Sequence, residues 1–430
     1  MNKDREIKVE YIARVEGQGS LEIRVSSGNI EELHLDIFEP PKFFEAFLIG
    51  RHCSEVHELT SRICGICPVP HQITALRAIE NALGINVSEQ TRDLRKLMNY
   101  GCHIQSHILN LYFLAAPDFL GYESIFAMVK EHLAIVKRAL KLKKLGNDIV
   151  ELVGARAIHP TSAVVNGFTR IPNKGDMESM RKRLVEAKQD AYDTVEFFSS
   201  LKIPKFIRKS EHVALSNPEE FAINEGLLVS SEGMRVEEDR YREYVKESQV
   251  DYSWAKHSQV VGRGSFLVGP LARVNLNFDR LSDDSRKLAK EIGFEVPNFN
   301  PFMSHIARAL EVINALDDCI RIIDRIPFRE EDRSYEVRSG TGFAVTEAPR
   351  GILYHSYEIG DDGGVKKADI VTPTAHNARN IENDLRELVP AIVDLTDEEA
   401  TLTCEMLVRA YDPCISCSVH YVNLNGRRVR

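Results

Sequence analysis

Two stretches at opposite ends of the chain, RICGICPVPH (residues 62–71) and DPCISCSVH (residues 412–420), each carry two cysteines separated by two residues. This spacing lets two thiolates reach one metal ion from a single turn, and thiolates select soft or borderline metals. A zinc ribbon keeps its cysteine pairs about 15–20 residues apart and folds around them locally. Here almost the whole chain separates the pairs, so the sequence predicts a fold that closes on a metal centre built from both ends.

The cysteine spacing alone leaves the kind of site open. Structural zinc is the commonest use of four such cysteines, while an iron–sulfur cluster, two unrelated redox pairs and a catalytic nickel or iron centre are alternatives. Ligands so far apart in sequence meet only after the whole fold has formed. Their separation therefore suits a buried catalytic centre better than a stabilising zinc site.

The composition, with 43% hydrophobic and 28% charged residues, is that of a soluble globular protein. The formal charge of −9 argues against nucleic acid as a partner. The most apolar stretch, residues 108–117, is too short to span a bilayer, so no membrane insertion is expected. The charged start MNKDREIKVE lacks the apolar segment of a signal peptide, and the cysteine usage is not that of a disulfide framework. We expect a cytoplasmic location.

The hydrophobic pattern predicts an α+β fold that is predominantly α-helical, with a core of long helices and small peripheral β-sheets. We expect one domain over residues 1–430, because neither an internal repeat nor a low-complexity linker interrupts it. Its predicted parts are a β-rich start (1–40), a helical core (41–200), an irregular part that is a candidate partner-facing surface (202–300), helices and a hairpin (301–420), and a tail (421–430).

Apolar residues at helical spacing predict the individual helices. These cover residues 43–51, 68–83, 93–116, 122–145, 177–201, 305–326, 375–393 and 397–411. Pro117 is expected to stop the helix over 93–116. Residues 352–359 and 367–371 predict a hairpin around the turn GDDGG.

The residues around the cysteines resemble a known family. The patterns R-x-C-G-x-C-x-x-x-H and D-P-C-x-x-C-x-x-H are similar to the two metal-binding signatures of nickel–iron hydrogenase large subunits. The segments RVEGQG (14–19), EAPRGIL (347–353) and TPT (372–374) match the same family in the right order. FFEAFLIG and LAAPDFLGY resemble its cytoplasmic branch, which couples hydrogen to soluble cofactors such as NAD(P) or a deazaflavin.

This resemblance implies a binuclear nickel–iron centre. Cys67 and Cys417 would bridge the two metals, while Cys64 and Cys414 would bind nickel alone. The iron would carry carbon monoxide and two cyanides, which come with the family and not from the spacing of the residues.

Four further residues are implied to surround this centre. Arg350, with its five N–H groups, and Thr374 would donate hydrogen bonds to the cyanides. Asp412 matches an acidic residue that pairs near Arg350, and His71 would donate to a bridging sulfur. Without the motif, Arg350 would be interpreted as part of a surface salt bridge, His71 as a core histidine and Asp412 as a turn residue.

The resemblance also implies a small cation, usually magnesium, at the base of the site. Glu45, the Leu353 carbonyl and His420 correspond to its ligands, and oxygen ligands are what magnesium prefers. One departure from some members is visible where Ser106 precedes His107 in place of an aspartate. The acidic neighbour of His107 is therefore expected to be missing.

The implied reaction is reversible heterolytic cleavage of dihydrogen. Cys414 is the expected base, because a metal keeps a thiolate deprotonated and a terminal sulfur retains a free lone pair. Arg350 is the competing base, but its high pKa makes a neutral guanidine costly. Glu16 would pass the proton outward, although without the motif it would be interpreted as an ion-pair partner of Arg14.

Electrons need a route that this chain does not offer. The other cysteines are scattered singly, at Cys53, Cys102, Cys319 and Cys404. The segments GQGSLE, GRGSFL and GTGFAV all fail to complete G-x-G-x-x-G. A small partner subunit carrying iron–sulfur clusters is therefore expected, and the resemblance implies further subunits that handle flavin and NAD(P) or a deazaflavin.

Two rival classes remain: a non-catalytic relative from a quinone-linked respiratory complex, and a structural zinc protein. Such respiratory relatives usually lack the cysteines, so the presence of all four argues against that class. In the family, the large chain is commonly trimmed after the last motif histidine. The tail YVNLNGRRVR is accordingly expected to be removed on maturation, and the alternative is a retained tail that runs along the surface or toward a partner.

Overall fold

Helices dominate the part of the chain that this computed structural model describes, which is residues 4–27, 29–40, 42–392 and 394–419. The predicted α+β, mainly helical class is confirmed. In chain order the α-helices are α1 (Phe44–Leu48), α2 (Cys53–Ser61), α3 (Pro68–Leu83), α4 (Glu89–Ile108), α5 (Ala116–Leu120), α6 (Leu133–Gly154), α7 (Lys174–Ser200), α8 (Tyr241–Tyr244), α9 (Pro270–Asn277), α10 (Asp283–Glu291), α11 (Ser304–Arg325), α12 (Pro373–Ile392), α13 (Asp397–Tyr411) and α14 (Ile415–Ser418).

The strands form small sheets, as expected. They are β1 (Arg5–Val9), β2 (Gly19–Ser26), β3 (Asn29–Ile37), β4 (Ala163–Val164), β5 (Gly167–Phe168), β6 (Glu211–Ser216), β7 (Leu227–Ser230), β8 (Arg235–Val236), β9 (Val245–Gln249), β10 (Lys256–Val260), β11 (Phe266–Leu267), β12 (Gly340–Ala348), β13 (Gly351–Ile359) and β14 (Val365–Val371). Their orders are β1-β2-β3, β12-β13-β14 and β11-β6-β7-β8, with β9 paired to β10 and β4 to β5. The strands β13 and β14 confirm the predicted hairpin.

Helix α4 is almost entirely buried and packs between α6 and α11. It crosses α6 at two glycines. A Cβ atom built on Gly101 would lie 2.9 Å from the Gly146 carbonyl oxygen, and one built on Gly146 would lie 2.6 Å from the Gln105 nitrogen. Because close-packed interiors leave no room for such an atom, the glycines allow the two backbones to touch.

The predicted stop at Pro117 is wrong. The chain leaves α4 through a π-helical segment, Leu109–Ala115, and continues into α5 with Pro117 in its first turn. Proline is tolerated there because the first N–H groups of a helix have no partner within the helix. The helix instead ends at Gly121, which adopts a left-handed conformation with φ of 74°.

The helix predicted over 122–145 is also placed wrongly. Only a 3₁₀ turn, Ala127–Lys130, forms in its first part, and α6 runs on to Gly154. Gly146 looks like a helix end in the sequence. It stays helical because the contact with α4 requires a residue without a side chain at that position.

The part over 202–300, predicted to be irregular, contains short strands together with the helices α8, α9 and α10. It contributes the strands β6 to β11, and its apolar residues share a hydrophobic cluster with β12, β13 and β14. The strand β12 was not predicted, since its glycines at 340 and 342 resemble a turn. None of the described helices combines the length with the hydropathy that a membrane span requires.

Candidate metal centre

The four paired cysteines meet in the interior. The sulfur atoms of Cys64, Cys67, Cys414 and Cys417 all lie within 4.8 Å of one another, and all four residues are buried. The Cys64 and Cys414 sulfurs are 3.5 Å apart. Cys414 and Cys417 are in disulfide contact. Because metal ligation needs both as thiolates, the donor set is complete in its reduced form.

The first pair is held by the start of α3. Cys67 is the residue that precedes this helix, and Pro68 occupies its first turn. The backbone N–H groups of Ile66 and Cys67 donate to the Cys64 sulfur at 3.4 and 3.2 Å. The hydrogen bond with Cys67 and then the positive charge of Arg350 lower the pKa of Cys64, although burial opposes them.

The second pair is held by the segment RVEGQG from the other end of the chain. Glu16 and Cys414 form an isolated parallel β-bridge, in which the Ile415 N–H donates to the Glu16 carbonyl at 2.9 Å. Gly17 has φ of 89°, and a Cβ atom there would lie 2.7 Å from the Ile415 Cβ. A glycine is therefore required for this close approach.

The Glu16 side chain points at the cysteine pair. Its Oε2 lies 3.2 Å from the Cys414 sulfur and accepts from the Ser416 N–H at 3.0 Å, while Oε1 accepts from the Ser416 hydroxyl. The alternative ion pair between Glu16 and Arg14 is wrong. Arg14 instead pairs with Asp118.

Arg350 approaches the cysteines from the turn between β12 and β13. It is 2% exposed, so its interpretation as a surface salt bridge is wrong. Its Nε donates to the Asp412 carbonyl at 2.7 Å and one Nη to the Asp412 carboxylate at 3.1 Å. Burial opposes its charge, but Asp412 and Cys67 raise the pKa of Arg350 above its ordinary value. Its Nη1 has no acceptor among the described protein atoms.

The histidine and threonine of the motifs have clear partners. His71 Nδ1 lies 3.3 Å from His355 Nε2, which joins the first cysteine motif to β13. The Thr374 hydroxyl accepts from the Cys414 N–H at 2.8 Å, so its own proton remains available for donation. Thr374 therefore fixes the backbone of the second motif as it begins α14.

The position before His107 holds Ser106 instead of an aspartate, but His107 has an acidic partner from another helix. Its Nε2 lies 2.9 Å from the carboxylate of Glu311, which comes from α11 and not from the position before it. Ser106, where the aspartate was missing, is buried. The sequence around His107 could not reveal a partner that another helix supplies.

The three expected magnesium ligands are only partly described. Glu45 accepts from the Ile370 N–H at 2.9 Å, and burial raises its pKa to about 7. Leu353 is buried in β13. His420 and the tail 421–430 lie outside the described residues, but the Lys42 N–H donates to the Val419 carbonyl at 3.1 Å. This bond brings the end of the described chain close to the segment that carries Glu45.

Sequence reasoning missed several buried charges near the centre. Arg273, Arg308 and Glu311 are fully or almost fully buried. The available signal was the placement of Arg308 and Glu311 three residues apart within the otherwise apolar stretch SHIARALEVINAL. Buried charges need partners, so such a pair indicates a polar contact inside the fold.

Nickel and iron fit this set of residues. Four thiolates suit borderline metals. The buried Nη1 of Arg350 lacks a protein acceptor, which is the situation expected beside an anionic ligand that the protein itself does not supply. The fold and the site thus define a metalloenzyme whose thiolate centre forms between the two ends of a large helical protein.

Comparison with known proteins agrees with this class. The profile of the nickel-dependent hydrogenase family matches residues 42–138 and 223–420. The alpha chain of sulfhydrogenase 1 from Pyrococcus furiosus is 38% identical over 97% of this chain and 98% of its own length. The matching chain of the F420-non-reducing hydrogenase from Methanothermobacter thermautotrophicus is 28% identical over 98% of this chain and 96% of its own.

Solved structures of hydrogenases also match this chain. An NAD+-reducing [NiFe]-hydrogenase in the H2-reduced state matches with a TM-score of 0.88 and 26% identity, over 97% of this chain and 99% of its own. The [NiFeSe]-hydrogenase of Dm. baculatum, at 23% identity over 97% of this chain and all of its own, shares the fold with a TM-score of 0.81.

The chain belongs to the nickel-dependent hydrogenase family. It is an enzyme, the catalytic subunit of a nickel–iron hydrogenase, and the predicted family, reaction class and nickel–iron centre are confirmed. Its relatives are named as single subunits of hydrogenases, which implies a partner subunit for this chain.

Proposed function

We propose that this chain cleaves dihydrogen reversibly into protons and electrons, and that the proton leaves through Cys414 and Glu16. The observation that carries the proposal is the 3.2 Å between the Cys414 sulfur and Glu16 Oε2, which is within reach for a direct proton transfer. The bound centre supplies the Lewis acidity and the redox capacity for splitting the H–H bond.

The four cysteines have different parts in this proposal. Cys67 and Cys417 would hold both metals, and Cys64 and Cys414 would hold nickel alone, as in the family that the motifs resemble. A terminal thiolate keeps a lone pair that a bridging one shares with the second metal. Of the two terminal sulfurs, Cys414 is the one with a carboxylate beside it, so Cys414 takes the proton.

The onward step begins at Glu16. Its two oxygens are held by the Ser416 hydroxyl and N–H, which fix the carboxylate facing the Cys414 sulfur. Arg350 is the weaker candidate for the base, because its neighbours raise its pKa and keep the guanidinium protonated. Arg350 therefore acts as a hydrogen-bond donor.

Two hydrogen-bond donors beside the cysteines, Arg350 and Thr374, support the presence of diatomic ligands on the iron. We propose that the iron carries carbon monoxide and two cyanides, and that Arg350 Nη1 and the Thr374 hydroxyl donate to the cyanide nitrogens. The Nη1 group has no acceptor among the described protein atoms. A cyanide nitrogen would satisfy a buried donor that otherwise costs free energy.

A magnesium ion at the base of the site is the next part of the proposal. Its ligands would be Glu45, the Leu353 carbonyl and His420. Support comes from the partly buried Glu45 carboxylate and from the Lys42–Val419 hydrogen bond, which joins the end of the described chain to the segment just before Glu45. Hard oxygen ligands suit magnesium.

The electrons pass to a small partner subunit that carries iron–sulfur clusters, and from there to a soluble acceptor. The similarity to an NAD+-reducing [NiFe]-hydrogenase favours NAD(P) as that acceptor, with a deazaflavin as the alternative. A complex of this kind works in the cytoplasm, together with subunits that handle flavin.

Replacing Glu16 tests the proton route. Glu16→Gln keeps the shape of the side chain but removes its titrating proton, so hydrogen–deuterium exchange activity should fall by about a hundredfold while nickel and iron stay bound. Glu39→Gln is a matched control, because Glu39 accepts only a weak bond from the Gln18 N–H at 3.3 Å in the same region. Unchanged exchange in the Glu16 variant would remove Glu16 from the route.

A further inference from the structure

Arg273, on α9, is a fully buried arginine with all of its side-chain N–H groups in use. Its Nε and one Nη donate to the two Glu311 oxygens at 2.6 and 2.7 Å. Its other bonds reach Glu347 at 2.9 Å and the carbonyls of Ala348 and Pro349 at 2.9 and 3.0 Å. One guanidinium thus joins α9, α11 and the turn between β12 and β13.

The two carbonyls that Arg273 binds lie directly before Arg350 in the chain. Carbonyl oxygens fixed in this way set the direction in which the backbone enters the next residue. The Glu347 carbonyl is held as well, by His103 at 3.1 Å. The backbone leading to Arg350 is therefore tied down at three successive residues.

Glu311 is the anchor of this arrangement. Besides the paired bonds to Arg273, its Oε2 lies 2.9 Å from His107 on α4. Three residues earlier on α11, Arg308 donates to the Ala410 carbonyl at 2.8 Å, just before Asp412. Helix α11 thus contacts the segment that leads to Asp412 directly, and it is linked to the segment before Arg350 through Arg273.

A metal ion in this cluster is the obvious alternative, since ligand atoms of His103, His107 and Glu311 lie within 4.8 Å of one another. Both Glu311 oxygens, however, are already engaged by the Arg273 guanidinium. If Glu311 bound a cation here, it would lose its hydrogen bonds to Arg273, and the cation would lie beside the buried positive charge of Arg273. The cluster is better suited to holding Arg273 than to holding a metal.

We propose that Arg273, anchored by Glu311, is a positioning residue that places the Arg350 guanidinium at the metal centre. Burying ion pairs usually adds less stability than burying apolar residues of the same size, so stability alone gives little reason for this pair. What the ion pair does specifically is fix the backbone geometry of the residues before Arg350. The inference rests on the proposed role of Arg350 as a donor to the iron ligands.

The test is Arg273→Lys in the holoenzyme complex, because lysine keeps the charge but has three donors on one nitrogen instead of a planar fork. Arg95→Lys is the matched control. Arg95 is also buried and binds both Glu80 oxygens, at 2.7 and 2.6 Å, and its third bond goes to the Val164 carbonyl. Both variants therefore lose a buried forked ion pair, and only one of the two pairs holds the Arg350 turn.

In Arg273→Lys we expect the infrared bands of the cyanides to shift and turnover to fall about tenfold to a hundredfold, with little change in KM for dihydrogen. Arg95→Lys should leave the bands in place. In metal-free protein, peptides covering residues 344–353 should exchange backbone hydrogen faster in Arg273→Lys than in Arg95→Lys. Glu311→Gln, which keeps the shape of the anchor, should give a smaller change in the same direction.

Wild-type bands together with unchanged hydrogen exchange in Arg273→Lys would overturn the inference. If that variant is poorly folded, the same comparison is made with Glu311→Gln. A wild-type holoenzyme without diatomic bands would contradict the proposed function instead. The exchange measurement on metal-free protein would still decide whether Arg273 holds the turn.

Discussion

The buried side chain of Arg350 binds Asp412 and is the proposed donor to a ligand of the iron. Two of its N–H groups are used by Asp412, and a third points where no described protein atom accepts it. Only arginine offers enough donors in a fixed plane for both tasks. Substitutions of Arg350 and of the cysteines therefore test directly how the centre is held.

Arg350→Lys should keep nickel and iron bound but shift the cyanide stretching bands, because a lysine cannot hold Asp412 and donate to an iron ligand with the same geometry. Infrared spectra of the purified holoenzyme measure this shift, and metal analysis of the same sample is the control. Identical bands in variant and wild type would show that Arg350 does not contact the iron ligands.

Cys64→Ser should abolish nickel retention while leaving folded protein, since a hydroxyl is a harder and weaker ligand than a thiolate. Elemental analysis after purification measures the loss. Cys319→Ser is the control, because Cys319 is buried but stands outside the cluster of four. Normal nickel content in the Cys64 variant would contradict its assignment as a ligand.

At the scale of elements, the crossing of α4 and α6 holds the helical layer together through Gly101 and Gly146. The sequence predicted α3 and α13 correctly because their ends are marked locally. Gly84 ends α3 in a left-handed conformation, and Thr396 with Glu399 forms a capping box before α13. The C-terminal end of α6 could not be predicted, because the role of Gly146 depends on α4, a neighbour distant in the chain.

Gly146→Ala should lower the free energy of unfolding by about 1–3 kcal/mol, because its Cβ would press into the α4 backbone. Denaturant unfolding followed by circular dichroism measures the change. Gly175→Ala is the control, since a Cβ there meets only the Asn173 side chain, at 3.5 Å. Equal stability of the two variants would mean that the helices can separate at this crossing without cost.

At the scale of the whole molecule, the site forms where distant parts of the chain meet. The cysteine spacing predicted that Cys64, Cys67, Cys414 and Cys417 would come together, and they do. Each pair could be recognised in the sequence because only two residues separate its cysteines. The ion pair between Arg273 and Glu311 could not be predicted, because the two residues lie 38 positions apart and follow no spacing rule.

Removal of the C-terminal tail during maturation is a further prediction. We expect the active, nickel-loaded subunit to end at His420, because the tail YVNLNGRRVR carries three arginines and is poorly suited to burial beside the metal centre. Intact-mass spectrometry of the active subunit measures this directly. A mass that includes all of the tail would contradict trimming.

Metal analysis of the purified complex, combined with its infrared spectrum, distinguishes a nickel–iron centre from a structural zinc site. We expect equimolar nickel and iron in this subunit, together with bands from carbon monoxide and cyanide ligands. Zinc as the only metal, without those bands, would contradict this expectation and would return the four cysteines to a structural role.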